Sequence, residues 1–333
     1  MTFGTTELLN ATDLRSESGM VSLSDRRPSV ESVSRILVAT DGTPTADGAL
    51  QIADLLAQRD RIPVDIVSVL DPGGRIVQGA LVEEVERRFA TIRDRACSVM
   101  GARPGWRAAI DIGPVGETIC RVAGSRASDL IIAGFGQHRR IRDRTPEKAT
   151  VRQIAEHATS PVLIVPSGTR TLPSHGMLAL DFSRSSLRAG RAALRVLEPP
   201  GVMHLVYVHT TYEPFPAEPT DADPTYSAGF ASFFDAVERE LDAPAGISFE
   251  RAVVQRGDPV AELMAYAAAN GIQLIAVGNH GKVVHDRLKL GSVSSGLLRS
   301  AQCMVLVAGA GALDTTNISP DLRMVQHIPG GEQ

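Results

Sequence analysis

The chain of 333 residues exceeds the usual size of one domain, so two domains are the first expectation. Hydrophobic residues make up 43% of it and aromatic residues only 4%, which predicts aliphatic cores of the kind found in parallel sheets flanked by helices. A net charge of −4 gives no global reason to expect nucleic acid or an anionic membrane as partner. No apolar run reaches the ~18 residues that a membrane-spanning helix needs.

Both ends of the chain are polar. Residues 1–32 are rich in Ser, Thr, Asp and Glu and lack the apolar core of a secretory signal, which predicts a disordered N-terminal arm. Residues 310–333 predict a flexible tail. The cysteines, Cys97, Cys120 and Cys303, show no metal-ligand or redox spacing, so we expect buried thiols in a reducing, cytoplasmic setting.

Two stretches of the chain repeat the same order of segments. In the first, an apolar run at 36–39 ends at Asp41-Gly42-Thr43, and a helical pattern with apolar residues at i, i+3, i+4 and i+7 follows. In the second, an apolar run at 178–180 ends at Asp181-Phe182-Ser183 and is again followed by a helical pattern. The repeat predicts two copies of one fold.

The remaining segments correspond in order. The predicted strands pair as 64–69 with 203–208, 106–110 with 249–254, 129–134 with 273–278, and 161–165 with 304–307; the predicted helices between them pair as 82–100 with 229–241 and 118–126 with 261–270. Strands that alternate with helices imply βαβ units and a parallel sheet. We therefore predict an α/β protein of two tandem Rossmann-like domains, 33–168 and 175–309, each a five-stranded parallel sheet flanked by helices.

The segment after the fourth strand of the second half carries the strongest signal for a ligand. It reads Gly278-Asn279-His280-Gly281, then nine residues, then Gly291-Ser292 at the start of a predicted helix. The first two glycines would let the backbone approach an anion closely, and the free N–H groups and positive dipole end of the helix would favour phosphate. The Ser292 hydroxyl would either cap that helix or bond a phosphate oxygen.

This spacing, G-x2-G-x9-G-[ST], resembles the nucleotide-binding signature of the universal stress protein family at every defined position. The turns Asp181-Phe182-Ser183 and Gly257-Asp258-Pro259 are similar to turns of the same family. The resemblance extends from Arg35 to Ala308 and implies ATP as the ligand of the second half, with Mg2+ left open. The residues that it assigns to the ligand are Leu180, Asp181, Val208, Val277, Gly278, His280, Gly281, Gly291, Ser292 and Val293.

The first half departs from the signature. Gln137 stands where the second glycine is expected, and Lys148-Ala149 stand in place of Gly291-Ser292 after a one-residue insertion. We therefore predict a degenerate nucleotide loop in this half. A weak second site stays open, and its residues would be Asp41, Val69, Gly134 and Gly136.

The loop of the first half is strongly basic between His138 and Lys148. It would either bind an anion through side-chain charge or form a solvated loop with a role in partner binding.

The resemblance favours a cytoplasmic stress-response regulator that binds ATP and hydrolyses it slowly at most, since no catalytic base stands out. The alternative is a scaffold that binds a protein partner and no nucleotide. An adenylating enzyme is less well supported, because such enzymes would be expected to carry an SGGxDS-type loop after the first strand. We also expect the last strands of the two halves, 162–165 and 305–308, to pair and cover each other's edges; whether two such chains form a homodimer is left open.

Overall fold

The strands of both halves join in one ten-stranded sheet. The computed structural model describes residues 33–71, 78–101, 105–135, 146–209, 224–255, 257–279 and 290–309. The strands β1 to β10 are Ile36–Ala39, Val64–Leu70, Trp106–Ile112, Leu130–Phe135, Val162–Pro166, His175–Leu180, Gly201–His209, Ile247–Gln255, Leu274–Gly278 and Met304–Ala308. The helices α1 to α8 are Asp47–Asp60, Gln78–Met100, Val115–Ser125, Pro146–His157, Arg184–Val196, Pro224–Leu241, Pro259–Ala269 and Ser292–Ser300.

Counted inward from either outermost strand, the two halves have the same order of equivalent strands, third, second, first, fourth and fifth. The order across the whole sheet is β3-β2-β1-β4-β5-β10-β9-β6-β7-β8, and every pair is parallel except β5 with β10. In that central pair Leu163 lies opposite Leu306, which confirms the expected pairing of the last strands. Because β5 and β10 are antiparallel, the carboxyl ends of the strands in the two halves lie at opposite edges of the sheet.

Helices cover both faces of the sheet, as expected for parallel strands buried on both sides. One core cluster joins the sheet to α1, α2, α5 and α6, through residues such as Ile52, Ile92 and Val237. The other joins it to α3, α4, α7 and α8, through residues such as Ile119, Leu263 and Leu297. Val, Ile, Leu and Ala make up most of both clusters, with Phe182, Tyr207 and Phe234 as the buried aromatic members, which agrees with the predicted aliphatic cores.

Arg59, at the end of α1, joins the two halves at a second place. Its guanidinium donates to the carbonyl oxygens of Leu197, at 2.8 Å, and of Arg195 in the last turn of α5, and it lies 3.5 Å from Glu198. A guanidinium on the last carbonyls of a helix satisfies acceptors that have no partner within the helix and complements its dipole. The contact therefore fixes α1 of the first half against α5 of the second.

Two local predictions differ from the structure. Helix α3 begins at Val115, three residues before the predicted start, because Pro114 is its N-cap residue. The cysteines are free and only partly buried, where full burial was expected. Burial nevertheless raises the pKa of Cys120 and of Cys303 to about 11, so neither thiol ionises readily near neutral pH.

No helix among the described residues is long and apolar enough to cross a membrane.

Candidate functional site

The residues implied as ligand contacts in the second half gather at one edge of the sheet. Strand β6 pairs with β9 up to Ala179 and Val277, and with β7 up to Leu180 and Tyr207. Asp181 and Val208 follow directly on the last pair, and Asn279 follows Gly278 at the end of β9. This edge lies where the strand order reverses between β6 and β9, the usual position of a ligand in an open α/β sheet.

Asp181 shapes the turn between β6 and α5. Its Oδ1 accepts a hydrogen bond of 2.9 Å from the backbone N–H of Ser183, and the Ser183 hydroxyl accepts one of 3.1 Å from the N–H of Ser186. Ser183 is thereby the N-cap of α5. The carboxylate consequently holds the turn, and no other described group donates to its Oδ2, which leaves that oxygen available for a ligand.

Phe182 takes a left-handed backbone conformation in that turn, with φ of +58°. This conformation is costly for a bulky residue. Its ring lies 5.2 Å from the ring of Tyr207 and 5.5 Å from that of Phe233, measured between centroids. The aromatic packing compensates the strain and fixes Asp181 beside β7 and α6.

Gly278 is required by packing at the end of β9. A Cβ at this position would lie 2.6 Å from Ser185 Oγ and 2.9 Å from the backbone nitrogen of Ser186. The absence of a side chain therefore allows the first turn of α5 to rest on the end of β9. The sequence interpretation assigned the glycine to close approach of an anion and did not foresee this packing role; its place beside the ligand stays a prediction.

The N-terminus of α8 has no side-chain cap. Gly291 is its N-cap residue with φ of −60°, and Ser292 is its first residue, exposed to solvent. Of the two roles expected for Ser292, the structure therefore excludes capping, and the contact with phosphate stays a prediction. The backbone N–H of Gly291 donates to Asn279 O at 2.7 Å, which ties the helix start to the end of β9. In the described part of the chain nothing accepts from the N–H groups of Ser292, Val293 or Ser294. By contrast, α5 and α7 are capped by Ser183 and Asp258.

Asn279 is a site residue that the sequence interpretation missed. It is buried, with 8% of its surface exposed, and its Oδ1 has no hydrogen-bond partner among the described residues. Its carbonyl oxygen also accepts from the buried Ser294 hydroxyl at 3.2 Å. The only sequence signal for Asn279 was its position inside the signature, where any residue is allowed.

The other implied contacts differ in how much of their side chain is available. Leu180 and Val277 are buried in the two cores, so a ligand would meet their backbone. Val208 and Val293 are half-buried and pack against the second core. His280 and Gly281 lie outside the described residues.

In the first half, the turn after β1 repeats the geometry of the second. Asp41 Oδ1 accepts from the N–H of Thr43 at 2.9 Å, and Gly42 has φ of +79° where Phe182 stands in the other half. Val69 is half-buried, like Val208. A Cβ on Gly134 would lie 2.6 Å from the Cα of Ala46, so this glycine too serves packing.

The loop end of the first half differs. Helix α4 begins at Pro146. Lys148 and Ala149 therefore lie inside its first turns, whereas the alignment of the two halves had placed them at the helix start. Proline has no N–H to offer an anion, and the acidic Glu147 follows it. Phe135 takes the position of Asn279 and packs against the second core. Gly136, Gln137 and the basic residues up to Arg144 lie outside the described residues.

Comparison with known proteins places these features in a family. The model described as "Universal stress protein family" matches the chain twice, over residues 32–166 and 175–309. Comparison with the curated proteins finds no match.

Solved structures share the fold of the whole two-half assembly. A universal stress protein from Archaeoglobus fulgidus DSM 4304 is similar with a TM-score of 0.63 and 17% identity, covering 84% of this chain and 99% of that one. A putative universal stress protein from Pseudomonas aeruginosa UCBPP-PA14 is similar with a TM-score of 0.55 and 14% identity, covering 84% and 94%. At such identities the likeness shows the fold alone. The two matches to the family model cover most of the sequence, and the chain therefore belongs to the universal stress protein family, whose domain it carries twice.

Proposed function

We propose that the second half binds ATP at the carboxyl edge of β6 and β9, and that the chain acts as a nucleotide-dependent stress-response regulator with slow ATP hydrolysis at most. The observation that carries the proposal is the open N-terminus of α8. Three backbone N–H groups without a described partner stand at the positive end of a helix dipole, an arrangement that binds phosphate well. They occur within the signature from Gly278 to Ser292.

The remaining groups fit the nucleoside part of such a ligand. Val208 and Val293 present half-buried apolar surface on which a base could rest. The free Oδ2 of Asp181 and the buried Oδ1 of Asn279 can accept hydrogen bonds from ribose hydroxyls or from an exocyclic amine. Polar acceptors at the ends of an apolar surface are the usual means of orienting a nucleoside.

The proposed role is regulatory because the described site offers no second charged group. Asp181 is half-buried and already holds the turn before α5. Fast phosphoryl transfer would need several charges around the γ-phosphate. Binding without rapid turnover is therefore the function that the described residues support best.

The test is to denature the purified full chain, identify the released nucleotide and titrate the emptied, refolded protein with ATP, with and without Mg2+. We expect adenine nucleotide at one per chain. Gly291→Val should abolish binding with little loss of stability, since the φ of −60° suits any residue and the new side chain would cover the open N–H groups. Gly281→Asp should act in the same way by charge repulsion.

Pro146→Val, at the start of α4, is the matched control and should leave binding unchanged. Gln137→Gly asks whether the first half regains a site. Unchanged nucleotide content in both glycine variants would refute the assignment to α8, and two nucleotides per wild-type chain would refute the degeneracy of the first half. No binding at cellular ATP concentrations would favour the scaffold alternative.

A further inference from the structure

The outermost strands β3 and β8 expose the two edges of the sheet. In the described part of the chain, each pairs with a single neighbour, β2 or β7. Val64 N donates to Gly105 O, and Gly113 N donates to Leu70 O, so the odd-numbered residues of β3 direct their backbone groups towards β2. The even-numbered residues, Trp106, Ala108, Ile110 and Ile112, therefore direct theirs outward.

The sequence of β3 is complementary to itself in the antiparallel direction. If two copies of the strand pair about Ala109, Trp106 lies opposite Ile112 and Ala108 lies opposite Ile110. These are the residues with outward backbone groups, so each pair can exchange hydrogen bonds. Between them Arg107 lies opposite Asp111, an attractive cross-strand pair that occurs twice by symmetry.

The charged side chains that would form this pair lie on the same face of the sheet. Arg107 contacts Asp65 at 3.2 Å, and Asp111 contacts Arg121 of α3 at 3.0 Å. Pairing about an axis perpendicular to the sheet keeps each face on its own side, so Arg107 meets the Asp111 of the second copy.

Both side chains can leave their present contacts. The Arg107 side chain is 72% exposed, and Asp65 keeps Arg35 and Arg126 if Arg107 turns away. Asp111 Oδ1 now accepts from the N–H of Ile112, an outward group that a partner strand would need. Moving the carboxylate to a second copy's Arg107 would therefore free that donor for strand pairing.

Exposed apolar side chains flank the same edge. Ile112 is 43% exposed, and on α2 Phe89 is 39% and Val82 55% exposed. Arg88 and Arg95 of α2 reach back towards the Asp41 turn and α1, while Phe89 and Val82 lie on a different side of the helix. Ile112 belongs to the strand itself, so pairing at β3 would cover its side chain.

The other edge is protected. Arg251 of β8 donates to Glu238 Oε1 at 2.6 Å and to Asp235 Oδ1 at 2.7 Å on α6, and lies over the Phe234 ring. Pairing two β8 strands about Ala252, the equivalent of Ala109, would place Glu250 opposite Val254 with no charge partner. Pairing of β8 with its copy would thus leave Glu250 without the opposite charge that Arg107 finds in Asp111 on β3.

We propose that the β3 edge, residues Trp106–Ile112, is the docking surface for a second copy of this chain, and that β3 pairs antiparallel with its copy about Ala109. The interface is isologous, and it extends the ten-stranded sheets of two chains into one. The β8 strand does not pair with the β8 strand of another copy, because Arg251 is held by α6 and the charges of β8 are not self-complementary.

The test is the molar mass of the full chain in a concentration series by analytical ultracentrifugation. We expect wild type to reach twice the mass of one chain. Arg107→Asp and Asp111→Arg should each weaken self-association roughly tenfold or more, because each places like charges opposite each other. An equimolar mixture of the two variants should restore the dimer. Glu250→Arg, at the position of β8 that is equivalent to Arg107, is the matched control. This variant should show the same molar mass as wild type throughout the series.

The mixture separates the proposed interface from a loss of folding, since a variant that misfolds because Asp65 loses Arg107 would not be rescued by its partner. Hydrogen exchange should show the amides of Ala108 and Ile110 protected in the wild-type dimer and exposed in each single variant. A wild type that stays monomeric throughout the series, variants that dimerise as well as wild type, or a failure to dimerise in a mixture of variants whose hydrogen exchange in the rest of the sheet matches wild type would each overturn the proposal.

Discussion

The two halves bury different polar side chains at one equivalent position of their second strands, β2 and β7. In the first half Asp65 is 1% exposed and contacts the guanidinium groups of Arg35, Arg107 and Arg126 at 3.1–3.2 Å. In the second half its equivalent is His204, which is 3% exposed. Equivalent backbone positions therefore tolerate a buried carboxylate or a buried imidazole, provided that the neighbours change with them.

The neighbours of His204 are mostly uncharged. Its Nδ1 lies 3.0 Å from the Tyr266 hydroxyl and 3.4 Å from Glu250 Oε2, and the ring of His175 lies 6.2 Å away between centroids. His175 and Glu250 take the positions of Arg35 and Arg107. The first half thus depends on charge at this position, while the second depends on a neutral hydrogen-bonded ring.

The largest effect should come from removing the buried carboxylate. Asp65→Ala should lower the free energy of unfolding by about 3 kcal/mol, because three guanidinium groups lose their shared partner. Urea unfolding of the full chain measures this loss. Asp94→Ala is the control, since its carboxylate is 71% exposed beside Arg93, and its effect should stay below about 0.5 kcal/mol. Equal losses in both variants would show that burial does not set the importance of Asp65.

A smaller effect tests whether the halves keep their glycines for the same reason. Gly134→Ala and Gly278→Ala should each cost about 1–3 kcal/mol, since the added Cβ would meet backbone atoms of the segment that packs on the strand end, Thr45 and Ala46 just before α1 or Ser186 in α5. Thermal unfolding measures both. Gly124→Ala is the control: nothing lies within 4 Å of its Cβ, and the helix should gain about 0.5–1 kcal/mol. If only Gly278→Ala destabilised the chain, packing would not explain why Gly134 is present in the degenerate half.

The smallest effect is a pH dependence confined to the second half. Burial lowers the pKa of His204; Glu250 opposes this shift and His175 adds to it. The folded chain therefore holds this ring neutral, while the unfolded chain takes up a proton near its ordinary pKa of 6.5. The contribution to stability is complete above that pH and is lost as the pH falls through the lower pKa of the folded state.

Urea unfolding at a neutral and a mildly acidic pH gives the size of this loss. His204→Phe should reduce it, while His157→Phe, which changes an exposed ring on α4, should leave it as in wild type. A pH dependence that survives His204→Phe unchanged would assign the titration to other groups.

Much of the fold follows from local pattern. Apolar runs and helical periodicity predicted every strand and most helices close to their observed bounds. A strand buried on both faces is a continuous apolar run, and a helix buried on one face has apolar residues at regular spacing, so both patterns are visible in residues close together along the chain. The spacing of the glycines located the segment between β9 and α8, because its defining residues also lie close together along the chain. The predicted pairing of the last strands came from the family resemblance, and the central β5–β10 pair confirms it.

Features that depend on contacts between distant residues could not be derived in this way. The start of α4 at Pro146 moved Lys148 and Ala149 into the helix, although counting along the sequence had placed them at its start. The burial of Asn279 and the packing role of Gly278 depend on Ala308 and on the first turn of α5, which are remote in the sequence. An asparagine or a glycine in the sequence does not by itself indicate burial or close packing against a distant segment.

By itself the sequence determined the repeat, the α/β order of elements and the position of the glycine signature, since each is encoded in residues close together along the chain. Only the tertiary structure decided that both halves share one sheet with the carboxyl ends of their strands on opposite sides, that the N-terminus of α8 carries no side-chain cap, and that of the two outermost strands only β3 is self-complementary in charge. Those properties depend on which backbone and side-chain groups find partners after the strands have assembled, and pairing of that kind is a property of the folded chain.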